Sequence, residues 1–264
     1  MRKNRMDKHP RQNSHYTEKY EVAVAKPNRR RNEEAEQERL NQLAQQEYEL
    51  QSAPEKVIPP LRALTQIQGE YIAAQRTADI VIGAGVAGTG KSFVAIALAC
   101  EQLQNHEVEN IYIVRPLVES GRQLGALPGE LDAKISPYFL PVIAILEERL
   151  GKRNLALYLK RGQIKFLPLE LLRGSSFNSC VVILDEAQNV TAAQMLMFLT
   201  RMGKDCRIVI NGDDQQLDLR GTNALSDAIK RLEHIDGVRV VRFEIDDIVR
   251  NSLIKSIILA YRGV

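Results

Sequence analysis

Beyond Pro60 two kinds of apolar pattern alternate along the chain. Short β-branched runs occur at Ile80–Ile82, Ile111–Val114, Val181–Leu184, Ile208–Ile210 and Val238–Val241. Between them lie longer stretches that read as helices, at Ser92–Leu103, Ala192–Met202, Ala224–Leu232 and Ile248–Tyr261. Apolar strands alternating with helices predict an α/β domain built on a mainly parallel sheet with helices on both faces. Leu117–Gly174 is less regular: it predicts a loop, a helix near Pro141–Leu150 and a small strand at Ile164–Leu167. Before Pro60 the pattern is different. Leu40, Leu43 and Tyr48 form a weak stripe that predicts one helix over residues 33–50. Pro54, Pro59 and Pro60 then break the chain. The expected organisation is an arm over residues 1–57, largely disordered or partly helical, followed by one domain over 58–264.

Composition fits that division. With 264 residues, 44% hydrophobic and 26% charged, the chain has material for one globular domain and an appendage. Aromatics make up 5% and Trp is absent, so any base-stacking surface is small. A net charge of +3 does not by itself argue for a nucleic-acid partner. The distribution says more. Residues 1–31 carry ten Lys/Arg against three acids, and residues 32–57 carry seven Glu against Arg39 and Lys56. A basic block followed by an acidic one is either a solvated tail or an arm that grips nucleic acid or a neighbouring subunit. Cys100, Cys180 and Cys206 show no C-x-x-C spacing, and the four histidines form no ligand-spaced set. Reduced thiols and no cysteine- or histidine-built metal site are expected, as in a cytoplasmic protein. No apolar run approaches the roughly 18–20 residues that span a bilayer, and the N-terminus has no signal-peptide core.

Three motifs carry chemistry. Gly85-Val86-Ala87-Gly88-Thr89-Gly90-Lys91-Ser92 fits G-x-x-x-x-G-K-[ST], between a predicted strand and a predicted helix. Glycines there let backbone N–H groups turn inward around phosphates at a helix N-terminus. Lys91 would reach the β- and γ-phosphates, and Ser92 would ligate Mg²⁺. Next, Val181–Leu184 runs into Asp185 and Glu186. A buried parallel strand delivers such residues to the sheet edge where ligands bind. Asp185 there can hold Mg²⁺ through water, and Glu186 can orient or deprotonate a water attacking the γ-phosphate. Third, Ile208–Ile210 leads into Asn211-Gly212-Asp213-Asp214-Gln215-Gln216, where an amide such as Gln216 can bond the γ-phosphate. The last motif alone reads equally well as a turn.

In this order the three motifs resemble those of superfamily 1 helicases, and more closely those of the PhoH family of phosphate-starvation-inducible ATPases. Arg115-Pro116-Leu117-Val118-Glu119, Leu124-Gly125-Ala126-Leu127-Pro128-Gly129-Glu130 and Ile183–Thr191 carry the closer resemblance, which covers about residues 64–255. It implies a RecA-like P-loop domain similar to one helicase motor core, ATP and Mg²⁺ as ligands, ATP hydrolysis, and RNA or another single-stranded nucleic acid as partner. It also implies that Gln68, with Tyr71 three residues on, reads adenine. Arg115-Pro116 stands where related helicases touch the nucleic-acid backbone. Arg250 is the preferred arginine finger, with Arg173 and Arg220 as rivals. Ser175-Ser176, Asn223-Ala224-Leu225 and Gln215 depart from the family pattern without removing a phosphate or Mg²⁺ group. Because a two-lobed motor takes its finger from the second lobe, a single lobe implies a homo-oligomer, such as a ring of six. Two other readings stay open: a P-loop kinase, and an ATP-gated RNA-binding scaffold with negligible turnover. A GTPase is disfavoured, since no N-K-x-D element is present.

Overall fold

A computed structural model of the chain describes residues 37, 38, 41, 58–117, 131–172, 174, 176–214, 223–249 and 252–262. The chain falls into two units, Met1–Glu49 and Leu50–Val264. In the first, Gln37, Glu38 and Asn41 are helical, within the span predicted for a helix, and Gln37 Nε2 donates to Asn41 Oδ1 at 3.4 Å.

The second unit is an α/β domain. Its elements are α1 (Gln66–Thr77), β1 (Ile80–Gly85), α2 (Lys91–Gln104), β2 (Asn110–Arg115), α3 (Leu131–Lys160), β3 (Ile164–Pro168), β4 (Cys180–Leu184), α4 (Ala192–Leu199), β5 (Cys206–Gly212), α5 (Ala224–Leu232), β6 (Val238–Phe243) and α6 (Ser252–Arg262). The six strands form one sheet in the order β3-β2-β4-β5-β1-β6, and every pairing is parallel. Successive strand residues point to opposite faces. Val81, Ile111, Ile113, Ile183 and Val209 therefore pack with Tyr71 of α1, Val94 and Ile96 of α2, and Phe139, Val142 and Leu146 of α3. Their neighbours Ile82, Val182, Leu184, Ile208 and Ile210 pack on the other side with Phe198 of α4 and Leu225 and Ile229 of α5. Two apolar layers on one sheet are what the unbroken apolar strand runs require.

Three elements differ from the expectation. Helix α1 was not anticipated, because its inward face is built from Gln68, Tyr71 and Gln75 and not from an aliphatic stripe. Thr65 caps it, accepting from Gln68 N at 3.3 Å. Helix α3 starts ten residues earlier than the predicted segment, at Leu131 against Pro141, and contains Pro137 and Pro141. Phe139, Val142, Leu146 and Leu150 bury one face at helical spacing, and Gly151, with φ 73°, interrupts the run. Near the C-terminus a short turn at Ile245–Asp247 delays helix α6 until Ser252. In each case tertiary burial or a local cap overrides what apolar spacing alone suggests.

Candidate functional site: a phosphate-binding cleft

The parallel sheet brings the ends of β1, β2, β4 and β5 to one edge. Residues at or just beyond these strand ends line a cleft of 610 Å³. From β1 the chain enters the phosphate loop through Gly85, whose φ is 127°. A Cβ there would collide with the Phe243 carbonyl oxygen of β6, so only glycine fits. Gly88 and Gly90 are also left-handed, with φ of 88° and 86°. Gly90 lies directly before the first residue of α2, which aims that helix N-terminus at the loop. Thr89 is fully buried and its hydroxyl donates to Val86 O at 3.1 Å, closing the loop from inside. Ala87 at the tip is exposed, and Val86 is buried beneath it.

Lys91 is the first residue of α2. Its ammonium donates to the carbonyls of Gly85 and Val86, both at 2.7 Å, and lies 5.6 Å from the Phe243 ring centroid. Burial pulls its pKa down to about 8, against the upward pull of Asp213, Asp185, Glu186 and Asp214. Next to it, Ser92 Oγ donates to Asp185 Oδ1 at 2.6 Å. Asp185, only 1% exposed, stands directly beyond β4. Its other oxygen is held by Arg115 from the end of β2, through Nε at 3.0 Å and through a second guanidinium nitrogen. The third nitrogen of Arg115 donates to Tyr138 O of α3 at 2.6 Å. Arg115 stands where the resemblance implies a nucleic-acid contact. Here its guanidinium is turned into the domain and committed to the carboxylate beside Ser92.

Glu186 is exposed in the cleft and has a left-handed backbone, φ 60°, rare for a side chain of its kind. Gln188 Nε2 donates to its carboxylate at 2.6 Å. From β5, Asn211 is 1% exposed and its Oδ1 accepts from the Tyr71 hydroxyl at 2.5 Å. Its Nδ2 is buried and has no partner among the described residues. Burial and the nearby Asp185 charge raise the Tyr71 pKa, so this hydroxyl stays a donor. Gln68, 2% exposed, joins α1 to the phosphate loop. Its Oε1 accepts from Leu64 N at 2.9 Å and its Nε2 donates to Thr89 O at 3.0 Å. An amide so held keeps one N–H and one oxygen lone pair for a ligand.

Gln68, Ala87, Gly88, Gly90, Lys91, Ser92, Asp185 and Glu186 thus line one cleft, while Gly85, Val86 and Thr89 are buried in the loop behind it. Gln216, Arg250, Arg173, Arg220 and the 124–130 segment lie outside the described residues. Arg115, Gln188 and Asn211 also line the cleft, through contacts with side chains distant in sequence or across the adjacent turn. Asn211, a polar side chain at the end of a buried strand, was the one visible signal among them. Among the described residues no group of three or more His, Cys, Asp or Glu is arranged to hold a metal. Ser92 Oγ and Asp185 do fit Mg²⁺ as hard oxygen donors, since that ion is typically held by one or two carboxylates together with substrate phosphates.

Residues 60–262 match the family described as PhoH-like protein. The chain belongs to that family. It is 42% identical over 203 residues to a PhoH-like protein of Bacillus subtilis (strain 168), a match covering 76% of this chain and 64% of the relative. Protein PhoH of Escherichia coli (strain K12) is 41% identical over 206 residues, covering 76% and 58%. The chain therefore spans less than two thirds of the length of the curated relatives it matches. Among solved structures it is similar to the Sulfolobus solfataricus SWI2/SNF2 ATPase core in complex with dsDNA, with TM-score 0.44 and 16% identity over 73% of this chain and 49% of that one. The large terminase of a thermophilic bacteriophage in complex with ADP gives TM-score 0.43 and 11% identity over 75% and 50%. At that distance neither bears on what this chain binds. Family membership and the glycine-rich loop before α2 together give the chain a P-loop fold with a candidate nucleotide site. Among the described residues no helix is long and apolar enough to cross a membrane.

Proposed function

We propose that the chain binds ATP with Mg²⁺ and hydrolyses it to ADP and phosphate, coupled to binding or remodelling of RNA or another single-stranded nucleic acid. The observation that carries this reading is the convergence of the Lys91 ammonium, the Ser92–Asp185 pair and the Glu186 carboxylate on one cleft. Phosphoryl transfer needs positioning and charge, and little covalent help. Lys91 and the loop N–H groups would hold the β- and γ-phosphates. Ser92 would ligate Mg²⁺ and Asp185 would hold it through water; the ion, when bound, offsets phosphate charge. Glu186 would orient the attacking water, Gln216 would bond the γ-phosphate, and Gln68 would face adenine. Glu186 favours hydrolysis over a kinase reaction, because a carboxylate in the cleft activates water.

Arg250 is the proposed finger, supplied by a neighbouring subunit in a homo-oligomer such as a hexameric ring. Stabilising arginines are worth about 10³–10⁵ in rate in P-loop NTPases. The test is phosphate release from ATP with no added acceptor, with Mg²⁺ or EDTA, across RNA and single-stranded DNA. Mg²⁺-dependent release that one nucleic acid stimulates is expected. ATP binding without release above a Lys91→Ala control, under every condition, would make the chain an ATP-gated binding protein instead.

A further inference from the structure

We propose that Gln188 is a positioning residue that fixes the Glu186 carboxylate and ties it to the loop after β5. The inference rests on the hydrolytic reading of Glu186. The left-handed backbone of Glu186 turns its side chain out of the line of β4, at the head of the short turn Ala187–Asn189. A glutamate exposed there has several freely rotating bonds, and catalysis by orientation needs it in one place. Gln188 meets that need. It is 7% exposed, and Nε2 donates to Glu186 Oε2 at 2.6 Å.

The direction of that amide is set from its far end. Gln188 Oε1 accepts from the Asp213 backbone N–H at 3.2 Å. An amide with its oxygen on an N–H must present its NH₂ at the other side. Glu186 is therefore met by a donor. The surroundings are shaped for this contact. A Cβ on Gly212, the last residue of β5, would stand 2.9 Å from Gln188 Oε1 and 3.0 Å from Gln188 N. Asp213 is itself secured, because Asn223 Nδ2 donates to Asp213 O at 3.3 Å and to Asp214 O at 3.0 Å. Ser226 Oγ donates to Asp214 O at 3.1 Å as well. Asn223, a departure from the family pattern, thus anchors Asp213 and Asp214. Gln188 couples the two strand ends on which water and γ-phosphate would be read.

The test is a double-mutant cycle of Gln188→Leu and Glu186→Gln, followed by single-turnover ATP hydrolysis, ADP affinity and melting temperature. Gln188→Leu should lower the hydrolysis rate by up to about 10²-fold, the scale of a misplaced catalytic group. ADP affinity should stay within about twofold of wild type, since the side-chain hydrogen bonds of Gln188 among the described residues go to Glu186 and Asp213 and not to the phosphate loop. The double variant should be no slower than Glu186→Gln alone, because the effect of Gln188 passes through that carboxylate. Gln188→Glu keeps the acceptor for Asp213 N–H and loses the donor, so it should be slow even if Gln188→Leu folds poorly. Defects that multiply in the double variant overturn the proposal. So does near-wild-type hydrolysis by Gln188→Leu beside a slow Glu186→Gln. Wild-type hydrolysis by Glu186→Gln would bring down the hydrolytic reading itself, and this inference with it.

Discussion

Replacing Arg115 by Met leaves Asp185 as a buried carboxylate without its cation. The side chain of Asp185 is 2% exposed and that of Arg115 12%, so solvent cannot take over the lost role. Breaking a buried ion pair by removing one partner typically destabilises by about 3–5 kcal/mol. Two features soften the effect here: Ser92 Oγ still donates to Asp185 Oδ1, and Met refills most of the volume of the arginine stem. The lower end, about 3 kcal/mol, is the expected loss. For a domain of about 200 residues that lowers the melting temperature by roughly 6–12 °C. Urea unfolding in EDTA measures it directly, with the m-value checked for constancy. Adding Asp185→Asn should return part of the stability, because the uncompensated charge is then gone. An Arg115→Met protein within about 0.5 kcal/mol of wild type would show that the Arg115–Asp185 pair is not a buried, mutually dependent unit.

Two further outcomes follow from the same geometry. Gly85→Ala should yield little folded protein and no nucleotide binding, because both its positive φ and the Phe243 carbonyl oppose a side chain; a soluble variant that binds ATP normally would contradict the loop geometry. Cys100, Cys180 and Cys206 are free and buried, and burial pushes the Cys100 thiol up to about 12. Since the thiolate is the reactive form, Cys100 should resist a disulfide reagent at pH 8 in the native protein and react once urea is added. The stability tied to that raised pKa is complete below the unfolded value of about 8.5 and is lost as pH rises through 12. Rapid native modification of Cys100 would contradict its placement.

The strand cores and the phosphate loop were legible because their physics is local. A run such as Val181–Leu184 has only apolar residues to offer both faces of a sheet, and β4 is buried along its whole length. The glycine spacing of residues 85–90 likewise encodes the three left-handed positions found there. Helix α1 was not legible, since Gln68 and Gln75 are buried by contacts with elements distant in sequence, which no periodicity reports. Nor was the inward turn of Arg115. Its partners Asp185 and Tyr138 lie 70 and 23 residues away, and only the strand order β2-β4 makes the first of them a neighbour. The bridge from Gln188 to Asp213 escaped for the same reason, as it depends on β4 and β5 being adjacent.

The central claim is that one cleft separates holding the nucleotide from cleaving it. Lys91→Ala and Glu186→Gln test it side by side, with ATP affinity and Mg²⁺-dependent phosphate release measured on the same preparations. Lys91→Ala should lose binding, because the ammonium buried beside the loop is gone. Glu186→Gln should bind ATP like the wild type and lose sustained phosphate release, keeping only a slow residual single-turnover rate. Wild-type phosphate release by Glu186→Gln, or undiminished ATP affinity in Lys91→Ala, would contradict the account.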